Sequence, residues 1–155
     1  MVIRRPGSMS TAIKELEPSE MKVNKTYQNL KILLVEDNPD DAELTRRLLR
    51  RICQDRDIFL AADAEEALRC LEDLHDEGAD LPDLMLLDIK LPRLSGMELL
   101  ERLKGSPKFR GIPVVMLTGS IVSEHIQRSY DLGAVTYLLK PISEDDLLLT
   151  LSYLT

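Results

Sequence analysis

The stretch PDLMLLDIKLPRLSG (residues 82–96) decides the fold class, because an apolar run leads directly into a carboxylate and then into a turn. Residues 84–87 are apolar without alternation, which is typical of a strand covered on both faces of a parallel sheet. Asp88 follows at once, and Pro92 and Gly96 shape the exit into the next segment. The stretch therefore predicts a buried parallel strand that ends in an acid.

Four other apolar runs of similar length occur along the chain, at residues 30–35, 58–61, 114–117 and 135–139. Amphipathic segments with charged outer faces separate and follow these runs, and several of them begin at or near a serine or end at a glycine. Alternation of strands and helices predicts an α/β protein with a doubly wound parallel sheet. Five strands favour the flavodoxin-like (βα)5 fold with the strand order 2-1-3-4-5.

The first and last amphipathic segments make specific predictions about which residues are buried. In the first, DDAELTRRLLRRI, we expect Leu44, Leu48 and Ile52 to share one helical face. In the last, Leu149 and Tyr153 lie four residues apart on the outer side, which indicates an interaction surface. Four leucines of the last segment face the sheet instead: Leu147, Leu148, Leu151 and Leu154.

Length and composition predict one folded domain and an appendage. A chain of 155 residues with 44% hydrophobic content can bury one core. We assign residues 30–155 to the domain and residues 1–29, which are polar and lack a sustained apolar period, to an N-terminal extension. Within the extension, residues 7–9 resemble the remnant of an expression tag, and residues 11–16 are compatible with a short helix.

Charge and apolar run lengths exclude several classes of function. A formal charge of −7 disfavours a nucleic-acid ligand, which needs a basic surface. No apolar run approaches the roughly 20 residues that span a bilayer, and no signal-peptide pattern opens the chain. Cys53 and Cys70 form no C-x-x-C pair, so we expect reduced thiols and a cytoplasmic protein.

Polar residues follow four of the predicted strands and are expected to meet at one edge of the sheet. They are Glu36 and Asp37, Asp88, Thr118, and Lys140. Each alone has a plainer interpretation, since acids often form turns and lysines are usually solvated surface charges. Two carboxylates about 5 Å apart, however, repel by roughly 3 kcal/mol at an effective dielectric of about 20. Lys140 and a divalent cation, Mg²⁺ or Mn²⁺, would offset this repulsion.

A carboxylate beside Mg²⁺ can act as a nucleophile toward phosphorus and form an aspartyl phosphate. Asp88 is the central acid of the expected cluster and is therefore the predicted nucleophile. Lys140 and the Thr118 hydroxyl would contact the added phosphoryl oxygens.

Four motifs, ILLVEDN, LLLDIKLPRLSG, VVMLTGS and YLLKPI, together resemble the receiver domain of two-component response regulators, over about residues 30–154. The resemblance implies that Asp88 is the phospho-acceptor, that Glu36 and Asp37 are the acidic pair that holds Mg²⁺, and that the backbone carbonyl of Lys90 is a further ligand. It also implies that Tyr137 is a switch residue that turns inward as Thr118 moves toward the phosphate. The plainer interpretation of Tyr137 is a half-buried tyrosine of a strand.

The resemblance also implies the partners. A sensor histidine kinase or a phosphotransfer protein would donate the phosphoryl group, and the chain would catalyse only its own phosphorylation and dephosphorylation. Because the sequence stops at Thr155, just past the last helix, we expect signalling through the domain itself, by a homodimer of the fourth helix, fifth strand and fifth helix. The segments LLVEDNPDDAELT and SYDLGAVTYLLKP further resemble single-domain regulators of phytochrome-type and other hybrid kinases.

Three rival interpretations remain at this point. A haloacid dehalogenase-type phosphatase also uses an aspartyl phosphate, but it requires an Asp-x-Asp pair that VEDNPD does not present. A receiver-like interaction module without phosphorylation is the second, although every chemical position carries a competent residue. A nucleotide-binding protein is the third, and no G-x-G-x-x-G or P-loop pattern supports it.

Overall fold

Five strands form one sheet in the structure, a computed structural model that describes residues 27–121 and 123–154. The strands are Ile32–Val35 (β1), Ile58–Ala61 (β2), Leu84–Asp88 (β3), Val114–Thr118 (β4) and Thr136–Leu139 (β5). The α-helices of the described residues are Pro39–Arg50 (α1), Ala64–Asp76 (α2), Gly96–Lys104 (α3), Ser123–Asp131 (α4) and Glu144–Leu154 (α5). A 3-10 turn, Asp55–Asp57, precedes β2.

The sheet is parallel throughout, with the order β2-β1-β3-β4-β5, so the predicted flavodoxin-like topology is confirmed. Asp88, the last residue of β3, pairs with Leu117 of β4, and Thr118 pairs with Leu139 of β5. The backbone N–H of Glu36 donates to the Ala61 carbonyl, which continues the pairing one residue beyond β1. The carboxyl ends of these strands therefore lie at one edge of the sheet.

Helices cover both faces of the sheet and enclose two hydrophobic clusters. Residues of α2 and α3 pack on one face, where Leu71 and Leu100 are fully buried. Residues of α1 and α5 pack on the other face, where Leu49 and Leu151 are fully buried and Tyr27, which precedes β1, is largely buried. Every residue of β1 and β3 is buried, as the non-alternating apolar runs predict.

The strand boundaries differ from the predicted ones by one or two residues. β1 begins at Ile32 rather than Leu30, because Leu30 N–H closes a turn onto the Tyr27 carbonyl. β5 begins at Thr136 rather than Val135, a residue that is 39% exposed. β3 and β4 each extend one residue further than the apolar runs predict.

The predicted inner face of α1 is wrong in part. Ile52 is buried and Leu48 packs against the same cluster, as predicted, but Leu44 is 57% exposed, and the buried residues of the helix itself are Thr45 and Leu49. The apolar spacing alone does not fix the rotation of the helix, and a buried threonine occupies the position that the pattern gave to a leucine. The prediction for α5 is confirmed: Leu147 and Leu151 are fully buried, and the two other inward leucines pack against the same cluster.

The expected short helix at residues 11–16 and the tag-like residues 7–9 lie outside the described residues. Cys53 and Cys70 are both free thiols. None of the described helices combines the length and the apolar character needed to cross a bilayer.

Candidate functional site

The first side of the site is built where β1 turns into α1. Asn38 caps the helix, because its side-chain oxygen accepts hydrogen bonds from the backbone N–H groups of Asp40 and Asp41, at 2.9 and 3.0 Å. The Asn38 backbone N–H in turn donates to Oε2 of Glu36, at 3.2 Å. The cap therefore fixes the Glu36 carboxylate, which is only 4% exposed, while Asp37 stays exposed.

The second side of the site is the end of β3 and the loop that follows it. The backbone N–H of Lys90 donates to Oδ1 of Asp88, at 3.1 Å. Ser95 and Glu98 form a reciprocal capping box at the start of α3, and the Gly96 N–H donates to the Ile89 carbonyl at 3.0 Å. A Cβ at position 96 would collide with the carbonyl oxygen of Asp88, so glycine is required for this close approach.

Lys140 joins the two sides. Its ammonium nitrogen lies 2.6 Å from Oε1 of Glu36 and 3.0 Å from Oδ2 of Asp88. A third carboxylate, Oδ2 of Asp41, lies 3.1 Å from the same nitrogen. Together with the Lys90 N–H, Lys140 occupies both oxygens of the Asp88 side chain, which is thereby held in one orientation.

Burial and charge shift the pKa values of the two central partners. Burial, together with the neighbouring Asp88, raises the pKa of Glu36 to about 7, although Lys140 and the Asn38 N–H oppose the shift. Burial alone would lower the pKa of Lys140, but its close contacts with the Glu36 and Asp88 carboxylates outweigh that effect and raise it. Lys140 is therefore a permanent cation, and a second positive charge would favour the ionised form of Glu36.

The acids of the site fit a divalent metal ion. Carboxylate oxygens of Glu36, Asp37 and Asp88 all lie within 4.8 Å of one another. Hard oxygen ligands of this kind suit Mg²⁺ or Mn²⁺. Because Asp37 is exposed, the group opens to solvent on one side, which suits an ion that keeps several of its waters.

Thr118 and Tyr137 lie at the adjacent end of the site. Thr118 is 6% exposed, and its hydroxyl donates to the Ser120 carbonyl at 2.6 Å while accepting from the Ser120 N–H at 3.2 Å. Tyr137 is partly buried and packs against the cluster on the α2 and α3 face. The structure thus places the Thr118 hydroxyl in its own loop, and the predicted phosphoryl contact and switch role stay predictions.

The outer face of α5 has the exposure that its sequence predicts. Leu149 is 56% exposed and Tyr153 is 79% exposed. Leu139 of the edge strand β5 is 40% exposed beside them, and all three line one shallow surface depression. An apolar surface is therefore present at β5 and α5.

Asp41 is a site residue that sequence reasoning missed. Its position in the first turn of α1 is fully explained by the helix dipole, and nothing in the local sequence relates it to Lys140, which lies 99 residues later. Only the packing of α1 against the loop after β5 brings the two side chains together.

Comparison with known proteins gives a consistent result. A sequence profile of the response regulator receiver domain matches residues 32–152. The probable methanogenesis regulatory protein FilR2 of Methanothrix harundinacea is 41% identical over 117 residues, which make up 75% of this chain and 75% of that protein. The response regulator Rcp1 of Synechocystis sp. is 35% identical over 117 residues, or 75% of this chain and 80% of that protein.

Three solved structures that this chain resembles are also response regulators. The bacteriophytochrome response regulator AtBRR superposes with a TM-score of 0.69 at 38% identity, over 81% of this chain and 93% of its own. The phosphorylated cyanobacterial phytochrome response regulator RcpA superposes with a TM-score of 0.67 at 34% identity, over 80% and 90% of the two chains. The Mn²⁺-bound form of Rcp1 gives a TM-score of 0.62 at 30% identity, over 79% and 90%.

Proposed function

The chain belongs to the response regulator receiver domain family, and from that premise we propose that it accepts a phosphoryl group on Asp88 from a sensor histidine kinase or a phosphotransfer protein. The observation that carries the proposal is the Asp88 carboxylate itself, which ends the central strand and is held by Lys140 and the Lys90 N–H. The two other acids within 4.8 Å give this carboxylate the surroundings of a metal-assisted nucleophile.

In the proposed reaction, an oxygen of Asp88 forms a new bond to phosphorus while the P–N bond of the donor's phosphohistidine breaks. The electron pair of that bond stays on the donor imidazole, which takes up a proton. Lys140 stabilises the charge on the transferred oxygens, since it is already placed at the Asp88 carboxylate. A divalent cation held by Glu36, Asp37, Asp88 and the Lys90 carbonyl would supply further charge stabilisation.

The response to phosphorylation is proposed to run through Thr118 and Tyr137. The Thr118 hydroxyl would leave the Ser120 carbonyl and donate to a phosphoryl oxygen, and the partly buried Tyr137 ring would repack. Both residues lie beside the face formed by α4, β5 and α5, so the proposed output is a changed interaction surface there. Catalysis by the chain would be limited to its own phosphorylation and dephosphorylation.

A second copy of the chain is the proposed partner at the α4, β5 and α5 face, because Leu149, Tyr153 and Leu139 expose apolar surface there. AtBRR is a bacteriophytochrome response regulator and RcpA is a cyanobacterial phytochrome response regulator, which supports a phytochrome-type kinase as the phosphoryl donor. We also propose a cytoplasmic location, with no nucleic acid or membrane partner, in line with the net charge of −7.

The test of the proposed function is phosphorylation by acetyl phosphate in the presence of Mg²⁺, followed by intact-mass measurement. We expect the wild type to gain one phosphoryl group and Asp88→Asn to gain none. Asp80→Asn, which changes an exposed acid remote from the site, is the matched control and should be labelled like the wild type. Equal labelling of Asp88→Asn would contradict the assignment, and sustained turnover of p-nitrophenyl phosphate would favour a phosphatase instead.

A further inference from the structure

Three carboxylates surround the ammonium group of Lys140. A lysine ammonium carries three N–H donors, and three carboxylates lie within 3.1 Å of this nitrogen: those of Glu36, Asp88 and Asp41. Lys140 donates hydrogen bonds to Asp88 and Asp41, while Oε1 of Glu36 lies 2.6 Å away as an ion pair and accepts no hydrogen bond from the described residues. A phosphoryl group on Asp88 therefore competes with these carboxylates for the same ammonium group. The arrangement raises the question of which partner leaves.

We propose that Asp41 is the partner that Lys140 releases when a phosphoryl group occupies Asp88, so that Asp41 competes with the phosphoryl group for Lys140. The inference rests on the proposed function, because it concerns the same lysine and the same phosphorylation site. It assigns to Asp41 a positioning role: Asp41 acts on the phosphoryl group through Lys140 and touches no reacting atom.

The exposure of the three carboxylates identifies Asp41 as the one that leaves. The side chain of Asp41 is 40% exposed, compared with 1% for Glu36 and 7% for Asp88. A buried carboxylate that loses its cationic partner keeps an uncompensated charge away from water, which is costly. Asp41 loses far less, since water can replace Lys140 at its oxygens.

The position and the negative charge of Asp41 also favour its release from Lys140. Asp41 lies outside the group of acids that could hold a metal, and it lines a cleft that α1 forms with the Lys140–Ile142 segment. Its oxygens can therefore turn into this cleft without disturbing Glu36 or Asp37. Its negative charge also repels an anion at Asp88, so loss of Asp41 should favour anion binding in two ways.

The experiment measures the affinity of beryllofluoride, a phosphoryl mimic, at saturating Mg²⁺ by calorimetric titration of wild type, Asp41→Ala and Asp40→Ala. Asp40 is the matched control, since it occupies the same first helical turn, is exposed, and accepts no hydrogen bond from Lys140. We expect Asp41→Ala to bind beryllofluoride roughly two- to fivefold more tightly, in the range of a partly exposed ion pair, and Asp40→Ala to match the wild type. A titration with Mg²⁺ alone should show no tighter binding for either variant.

If the wild type binds beryllofluoride but Asp41→Ala binds it equally or more weakly, the inference about Asp41 is wrong and the proposed function is unaffected. Equal tightening in Asp40→Ala would overturn the inference too, because the effect would then come from the net charge of the helix end. Failure of the wild type to bind beryllofluoride with Mg²⁺ would overturn the proposed function, and this inference with it.

Discussion

At the scale of single residues, the site depends on a close approach that only one residue type permits. The backbone of Gly96 rests against the carbonyl of Asp88 and the Cα of Ile89, so α3 starts directly beneath the strand end. The Gly96 N–H donates to the Ile89 carbonyl and fixes this contact. Because backbone atoms rather than flexible side chains fill the space, a methyl group cannot be accommodated by a rotamer change.

We therefore expect Gly96→Ala to lower the free energy of unfolding by about 2 kcal/mol or more, as for an overpacked core position. Gly111→Ala is the matched control, since a Cβ at position 111 would meet no atom within 4 Å. Urea unfolding of both variants measures the difference. Equal stability of the two variants would show that the strand end and α3 can separate at little cost.

Some residues of the site could be predicted from the sequence and others could not. Glu36, Asp37 and Asp88 could be predicted because they lie at or directly after the ends of apolar strands, and parallel strands end at one edge. Asp41 could not, because its contact with Lys140 depends on how α1 packs against a segment that is distant in sequence. Local spacing carries no information on that packing.

At the scale of elements, α1 shows how a helix is fixed at both ends. Asn38 caps its start, and Cys53 lies just past its end, buried, with its Sγ donating to the Leu49 carbonyl at 3.4 Å. The sequence predicts the strands well, because both faces of the sheet are covered and the apolar runs of the strands are therefore continuous. The rotation of α1 was not predictable, because its apolar spacing does not indicate that a polar residue, Thr45, is buried.

Cys53 makes the stability of this helix end dependent on pH. Burial raises the pKa of Cys53 to about 11, with Asp57 and Asp55 adding to the shift. An unfolded cysteine loses its proton near pH 9. Stability is therefore unaffected below about pH 8 and falls as the pH rises from 9 to 11, because only the unfolded state gains from ionisation.

We expect the wild type to lose about 1 kcal/mol more than Cys53→Ala between pH 8 and pH 10, since one pKa unit corresponds to about 1.4 kcal/mol. Urea unfolding of both proteins at the two pH values measures this difference, and other titrating groups cancel in the comparison. Parallel pH profiles would show that the Cys53 thiol ionises equally well in both states.

At the scale of the whole molecule, the two edges of the sheet differ. The β2 edge exposes Leu60, which is 44% accessible, whereas the β5 edge joins α5 in a wider apolar surface that includes Leu139, Leu149 and Tyr153. The site lies at the end of the central strand, between these edges. Under the proposed function, a signal from Asp88 to the α5 surface would have to cross only β4 and β5.

We expect the chain to form a homodimer through the α4, β5 and α5 face, more strongly with beryllofluoride bound. Tyr153→Glu should lower the dimer fraction in light scattering, because it places a charge in an apolar contact. Leu44→Glu, on the exposed side of α1, is the matched control and should leave it unchanged. A monomeric mass with and without beryllofluoride would rule out this dimer.

Under the proposed function, the hydrogen bond from the Thr118 hydroxyl to the Ser120 carbonyl would help to hold the loop in its resting arrangement. One hydrogen bond contributes about 1 kcal/mol net, which corresponds to a factor of about five in an equilibrium constant. An interaction of that size favours the resting loop without locking it. The unphosphorylated chain would then adopt the switched arrangement for a measurable fraction of the time. A phosphoryl oxygen that accepts the Thr118 hydrogen bond more strongly than the Ser120 carbonyl would reverse the two populations.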